Sequence, residues 1–172
     1  VAAGSELLAR VVKRYEKPEF GLSDTIVDGK TVAVREEVVE SKPFCNLLHF
    51  RRETALSHPK VLVVAPLSGH YATLLRDTVR ALLPDHDVYI TDWIDARQVP
   101  LAEGYFHFAD YVAYVQDFLR LLAPGVHVIS VCQPTVPVLA AVSLMAAAGD
   151  PAQPRSMTLM GGPIDTRRAP TE

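Results

Sequence analysis

Cysteine is scarce in this chain, which has only Cys45 and Cys132 among 172 residues. Two thiols in unlike contexts make no disulfide framework, so reduced thiols and a cytoplasmic setting are expected. Neither cysteine has metal-ligand spacing around it, and no metal or cofactor is expected. Positive charge is not in excess either. The formal net charge is −3, and Lys and Arg are scattered apart from the pairs Arg51-Arg52 and Arg167-Arg168, so nucleic acid is not an expected partner. No apolar run reaches the length of a membrane span. The longest, Val136 to Ala148, contains Pro137 and reads as a buried helix. A signal peptide, internal repeats and low-complexity segments are not visible. One absence bears directly on chemistry: of the six histidines, none follows Cys132.

What is present is an ordinary globular composition, 49% hydrophobic and 22% charged, at a length that fits one domain and can bury roughly 70% of the unfolded surface. Ser5 followed by apolar Leu7, Leu8, Val11, Val12 and Tyr15 predicts a capped amphipathic helix ending near Lys17. Thr31 to Val39 alternates, and Leu47 to Arg52 follows a short break; together they predict an antiparallel hairpin at a sheet edge. Val61 to Ala65, a continuous apolar run ended by Pro66, predicts a buried parallel strand. Tyr71, Leu74, Leu75, Thr78, Val79 and Leu82 share one helical face, and Pro84 ends that helix. Val88 to Asp92 predicts the next strand. Phe108, Tyr111, Val112, Val115, Leu119 and Leu122 mark a helix stopped by Ala123-Pro124-Gly125. After the strand that leads to Cys132 come a helix from Pro134 to Ala148, apolar all round and expected to be enclosed, and a strand from Ser156 to Met160 before Gly161-Gly162. Edge strands followed by repeated strand-helix units make an α/β protein, with a mostly parallel sheet covered by helices on both faces.

Residues 126 to 137, Val-His-Val-Ile-Ser-Val-Cys-Gln-Pro-Thr-Val-Pro, place Cys132 at the strand-to-helix corner. In open parallel sheets ligands bind beyond the carboxyl ends of the strands. Ser130-Val131-Cys132-Gln133-Pro134 has the outline of a nucleophile elbow, with cysteine at the reactive centre. Backbone N–H groups at the start of the next helix favour a thiolate, whose pKa is about 8.5 in a free cysteine. The alternative is a buried cysteine that merely fills space, and Cys45 is read that way. An elbow nucleophile needs two oxyanion donors. Gln133 N–H is the first. The second belongs to the loop Pro66-Leu67-Ser68-Gly69-His70. Pro66 has no N–H, which leaves Leu67 or Ser68, with Leu67 preferred. His70 reads as packing or a substrate contact sooner than as the base. Asp165, just past the last strand, is a candidate acid and equally a cap or surface ion pair. Asp92, Trp93 and Asp95 could line a substrate channel with Tyr105, Phe106 and Phe108, although such aromatics more often pack a core.

Four segments carry a resemblance to a family: Val61 to Arg76 (Val-Leu-Val-Val-Ala-Pro-Leu-Ser-Gly-His-Tyr-Ala-Thr-Leu-Leu-Arg), Asp87 to Trp93 (Asp-Val-Tyr-Ile-Thr-Asp-Trp), Ser130 to Pro134, and Gly161 to Asp165 (Gly-Gly-Pro-Ile-Asp). On these the chain resembles the intracellular polyhydroxyalkanoate depolymerases, cysteine-nucleophile members of the α/β-hydrolase superfamily. The Asp87 to Trp93 piece also resembles the polyester synthases, but those carry glycine where Pro134 stands. The resemblance implies hydrolysis of granule-stored poly(3-hydroxybutyrate) to 3-hydroxybutyrate units or oligomers, with Cys132 attacking the ester and Gln133 and Leu67 N–H groups holding the oxyanion. It also implies that residues 1–172 are the N-terminal part of one hydrolase domain, with the catalytic histidine and acid beyond residue 172. The polymer or granule surface is then the expected partner, together with self-association or pairing with that C-terminal part, and the cytoplasmic granule is the expected location. Two alternatives stand beside this reading: a non-catalytic hydrolase core that coats a granule or joins an assembly, and a cysteine acyltransferase related to the synthases.

Overall fold

The computed structural model describes residues 17–67, 71–165, 167 and 168. The helix expected from Ser5 lies outside them. The strands are β1 (Asp24–Val27), β2 (Lys30–Lys42), β3 (Cys45–Arg52), β4 (Lys60–Val64), β5 (Asp87–Trp93), β6 (His127–Val131) and β7 (Ser156–Met160). They form one sheet in the order β1-β2-β3-β5-β4-β6-β7. β4 pairs in parallel with β5 and β6, and β6 with β7, whereas β1, β2, β3 and β5 are joined antiparallel. Among the described residues the α-helices are α1 (Arg76–Leu82), α2 (Phe108–Leu122) and α3 (Thr135–Ala147).

The continuous apolar runs become the central strands because both of their faces are covered. One face, bearing Leu47, Leu62, Val64, Tyr89, Trp93 and Val128, packs beneath Val115, Phe118 and Leu119 of α2 and Val138, Ala141 and Met145 of α3. The other, bearing Leu48, Phe50, Val61, Val63 and Ile90, packs against Phe20, Ala72, Leu75, Val79 and Leu83. Burying one such aliphatic side chain is worth about 1.5–3 kcal/mol, so the short strands β4 and β5 anchor the whole sheet.

The predicted elements differ from the observed ones in four places. β1 was not foreseen, because four residues with two buried positions give little pattern to read. The hairpin has longer arms than its alternation suggests, and β2 is interrupted by a register shift between Val38 and Glu40; such an extra residue breaks the two-residue period. The segment expected as one helix from Tyr71 opens instead as a 3₁₀ turn, Ala72–Leu75, before α1. Three residues per turn rotate the face relative to an α-helix, which leaves Leu74 58% exposed while Ala72, Leu75 and Val79 are buried. Finally, α3 is not enclosed. It buries Thr135, Pro137, Val138, Ala141 and Met145, yet Leu144 is 56% exposed, because its alanine-rich outer face has no neighbouring element among the described residues.

Candidate active site

The turn after β6 is built from the small and ring-restricted residues around the cysteine. Ser130 is fully buried and small enough to let the chain double back. Cys132 adopts φ +67°, and Cys132 and Asp28 are the two described non-glycine residues in that left-handed region. A side chain there costs of order 1–2 kcal/mol, an outlay that recurs at functional corners. Its N–H donates to Met160 O at 2.8 Å, extending the β6-β7 ladder by one residue before the chain turns. Its C=O is gripped from the other side, accepting from Thr135 N–H at 3.2 Å and Thr135 Oγ1 at 2.8 Å. Pro134 and Pro137 sit at or inside the first turn of α3, where a helix has no acceptor for backbone N–H groups anyway, so two prolines cost little. The thiol itself is exposed.

Gly162 closes the turn from beneath. A Cβ at this position would lie 1.6 Å from Thr135 Oγ1 and 2.5 Å from Thr135 Cβ. The chain after β7 thus passes directly against the side chain that holds the Cys132 carbonyl. The sequence offers Gly161-Gly162 as the end of a strand; that the second glycine is a contact surface for Thr135 shows only in three dimensions.

The loop after β4 is the other half of the site. Ala65 N–H donates to Thr91 Oγ1 at 2.9 Å, and Ala65 O accepts from Trp93 Nε1 at 2.8 Å and from Tyr111 OH at 3.4 Å. β5 and α2 therefore fix the point where the chain leaves β4. Two residues on, Leu67 N–H donates to the side-chain Oε1 of Gln133 at 3.3 Å. The elbow and the loop are joined by that bond, which links residues 66 apart in sequence. The Gln133 N–H itself has no partner among the described residues.

The remaining candidates fall in different places. Ser68 and His70 lie outside the described residues. Trp93 is buried and stacks edge-on against Tyr111, ring centroids 4.4 Å apart, with Phe106 at 5.7 Å. Asp92, the preceding residue, points to the opposite face, is 5% exposed, and pairs with Lys17 while its Oδ1 has no partner among the described residues. Sequence reading gave no sign of that ion pair, whose members lie 75 residues apart. Asp165 is held locally. Its Oδ1 accepts from Arg167 N–H at 3.1 Å and Arg167 Nε at 2.8 Å, and its Oδ2 accepts from Arg167 Nη2 at 3.1 Å. Hydrogen bonds from Arg167 hold its carboxyl below the usual carboxylate range. Tyr105 is 88% exposed and Phe108 54%. Two clefts, of about 480 and 260 Å³, are lined around Lys17, Ser23 and Glu36 and around Arg52, His58 and Asp87; neither includes Cys132, Gln133 or Leu67. Among the described residues no group of three or more acidic, His or Cys side chains could hold a metal ion, and no helix is long and apolar enough to cross a membrane.

The two thiols offer a direct contrast. Cys45 is fully buried in β3 beneath α2, and burial, with the Asp92 charge next, pushes its thiol well above the ordinary value. Under native conditions at mildly alkaline pH iodoacetamide is expected to modify Cys132 alone, and both cysteines only in denaturant; peptide mass mapping reads the result. Native labelling of Cys45 at a comparable rate would show that the hairpin opens.

No protein-family model and no curated protein sequence matches the chain. Solved structures do. The naproxen esterase of Bacillus subtilis superposes with a TM-score of 0.52 at 12% identity, over 73% of this chain and 42% of that one. The type II thioesterase BorB from the borrelidin biosynthetic cluster gives 0.53 at 17% identity, over 78% and 52%, and the Francisella virulence factor BioJ 0.50 at 12%, over 94% and 50%. The fold is that of the α/β hydrolases. The chain spans about half the length of these proteins. At such identities the likeness concerns the fold alone.

Proposed function

We propose that the chain carries the nucleophile half of a thiol-dependent ester hydrolase acting on poly(3-hydroxybutyrate), with Cys132 as nucleophile. The observation that carries the reading is the exposed cysteine held at φ +67° between a parallel strand and a helix start. No packing requirement explains a costly backbone conformation at an exposed side chain, whereas an elbow does. The thiolate attacks the ester carbonyl and the electron pair moves to the oxygen. Gln133 N–H, and a donor on the Leu67-Ser68 loop, stabilise that oxyanion. It then collapses to a thioester and expels the alkoxide, which takes a proton from a general acid. Water, deprotonated by a base, hydrolyses the thioester to the free acid and restores the thiol. The likeness of the segments at 61–76, 87–93, 130–134 and 161–165 to polyhydroxyalkanoate depolymerases supports the polyester substrate and an imidazole base oriented by an acid.

The test uses p-nitrophenyl butyrate and a p-nitrophenyl ester of a 3-hydroxybutyrate oligomer. The 172-residue chain is expected to release at most one p-nitrophenolate per molecule and then stall, with the acyl group on Cys132 by mass spectrometry and the oligomer ester reacting faster than butyrate. Acyl groups on other residues would remove Cys132 from the chemistry. Sustained turnover lost in His70→Ala would put the base within these residues. A second reading, a non-catalytic module, is favoured by β7, an edge strand whose Met160 is 48% exposed and which can pair with another chain. Under that reading Cys132 labels with iodoacetamide but accepts no acyl group from either ester.

A further inference from the structure

One donor of the oxyanion site described above is already engaged. Leu67 N–H, one of the two candidate loop donors, already donates to Gln133 Oε1 at 3.3 Å. That acceptor is a planar amide oxygen, the same kind of atom as an ester carbonyl, and it is carried by the residue whose own backbone N–H is the first donor. The loop that presents Leu67 cannot drift away to release it, because Ala65 is bonded on both sides to Thr91, Trp93 and Tyr111. Gln133 is half-buried and linked to Leu67 through this side-chain bond, so rotation of its side chain frees the donor. Side-chain rotations of this kind take picoseconds to nanoseconds.

We propose that the Gln133 carboxamide is a placeholder for the substrate carbonyl: it satisfies Leu67 N–H in the resting protein and is displaced when an ester binds, which makes Gln133 a positioning residue that tunes ester capture at Cys132. This rests on the ester-hydrolase reading. The Leu67 N–H contact is part-buried, and a donor there is more stable with an acceptor than without one. An ester carbonyl that replaces the carboxamide keeps that bond, and substrates whose carbonyl cannot reach Leu67 N–H gain nothing from displacing it. The placeholder thus favours acyl groups that seat fully in the elbow over those that only approach the thiol.

Two variants separate this from a purely structural role. Gln133→Met keeps the length and packing of the side chain but removes the acceptor, and Gln133→Glu keeps an acceptor oxygen. In the 172-residue chain the Leu67 amide is expected to be protected from hydrogen exchange in wild type and in Gln133→Glu, and to exchange at least about tenfold faster in Gln133→Met. Single-turnover acylation by p-nitrophenyl butyrate, in which the Cys132 sulfur forms the thioester and p-nitrophenolate leaves, is expected to be about fivefold faster in Gln133→Met, the net value of one displaced hydrogen bond, and no faster in Gln133→Glu. Iodoacetamide alkylation of Cys132 needs no oxyanion donor and should stay within about twofold of wild type in both variants. Equal Leu67 exchange in wild type and Gln133→Met overturns the proposal. So does slower acylation of Gln133→Met with unchanged alkylation, because Gln133 would then be holding the loop in its working position. If no form of the protein is acylated, the ester-hydrolase reading fails, and Leu67 exchange alone then decides whether the contact exists.

Discussion

Cys132→Ala is expected to release p-nitrophenolate from p-nitrophenyl butyrate only at the rate of buffer, with no burst and no acyl adduct. The substitution removes the exposed thiol at the carboxyl end of β6 and leaves the proposed oxyanion donors in place. Oxyanion donors and binding without a nucleophile give only a residual acceleration in triad enzymes, roughly 10³ to 10⁴ over water. Neither of the two clefts described above includes Cys132, Gln133 or Leu67, so even that fraction should be small. Cys132→Ser is expected to keep no measurable burst, since an alcohol at neutral pH depends wholly on a general base. Both variants should melt within a few degrees of wild type, because the side chain is exposed and surface changes are usually within about 0.5 kcal/mol. A stoichiometric burst from Cys132→Ala would show that another group attacks the ester.

Gly162→Ala is expected to give the largest loss of stability of any single methyl addition at the site. The new Cβ would fall 1.6 Å from Thr135 Oγ1 and within 2.6 Å of Thr135 Cγ2. Thr135 cannot simply turn away. It is fully buried, and its hydroxyl is bonded to the Cys132 carbonyl, so the first turn of α3 or the strand end after β7 must move. Overpacking of this kind costs about 1–3 kcal/mol, which lowers Tm by roughly 2–4 °C per kcal/mol at this size. Because the displaced group is the one that grips the elbow, the acylation burst should slow as well. Adding Thr135→Gly, which clears every atom in the clash, is expected to make the double variant more stable than the sum of the two single losses by at least about 1 kcal/mol. Strict additivity would mean that the close approach is relieved by some other shift.

How much of this was readable beforehand depends on the range of the interaction. Apolar runs such as Val61 to Val64 and the strand-helix alternation are local, and they located β4, β5, β6, β7, α2 and α3 to within a few residues. The corner at Cys132 was readable because Ser130, Pro134 and Pro137 mark it within eight residues. Local patterns failed where the period itself changes, as in the 3₁₀ turn that exposes Leu74 and the register shift in β2. They also failed where the sheet order brings distant residues together. Leu67 meets Gln133 because β4 lies beside β6, and Lys17 meets Asp92 across a length of chain on which neither residue leaves a mark. Composition says that the outer face of α3 is apolar; only the packing shows that nothing described covers it.

The backbone at Cys132 sets two demands on position 132 against each other. At φ +67° a glycine would sit without the clash that any Cβ makes with its own backbone. Selection for thermal robustness alone would therefore drive position 132 toward glycine and keep the same turn, the same ladder bond to Met160 and the same Thr135 grip. A cysteine there is tolerated less readily than glycine for the fold's own sake, and drift in a chain relieved of any thiol chemistry should erase it early. Among related chains, the identity of this one residue against an otherwise intact corner would then separate lineages that still use the thiol from those that keep only the scaffold.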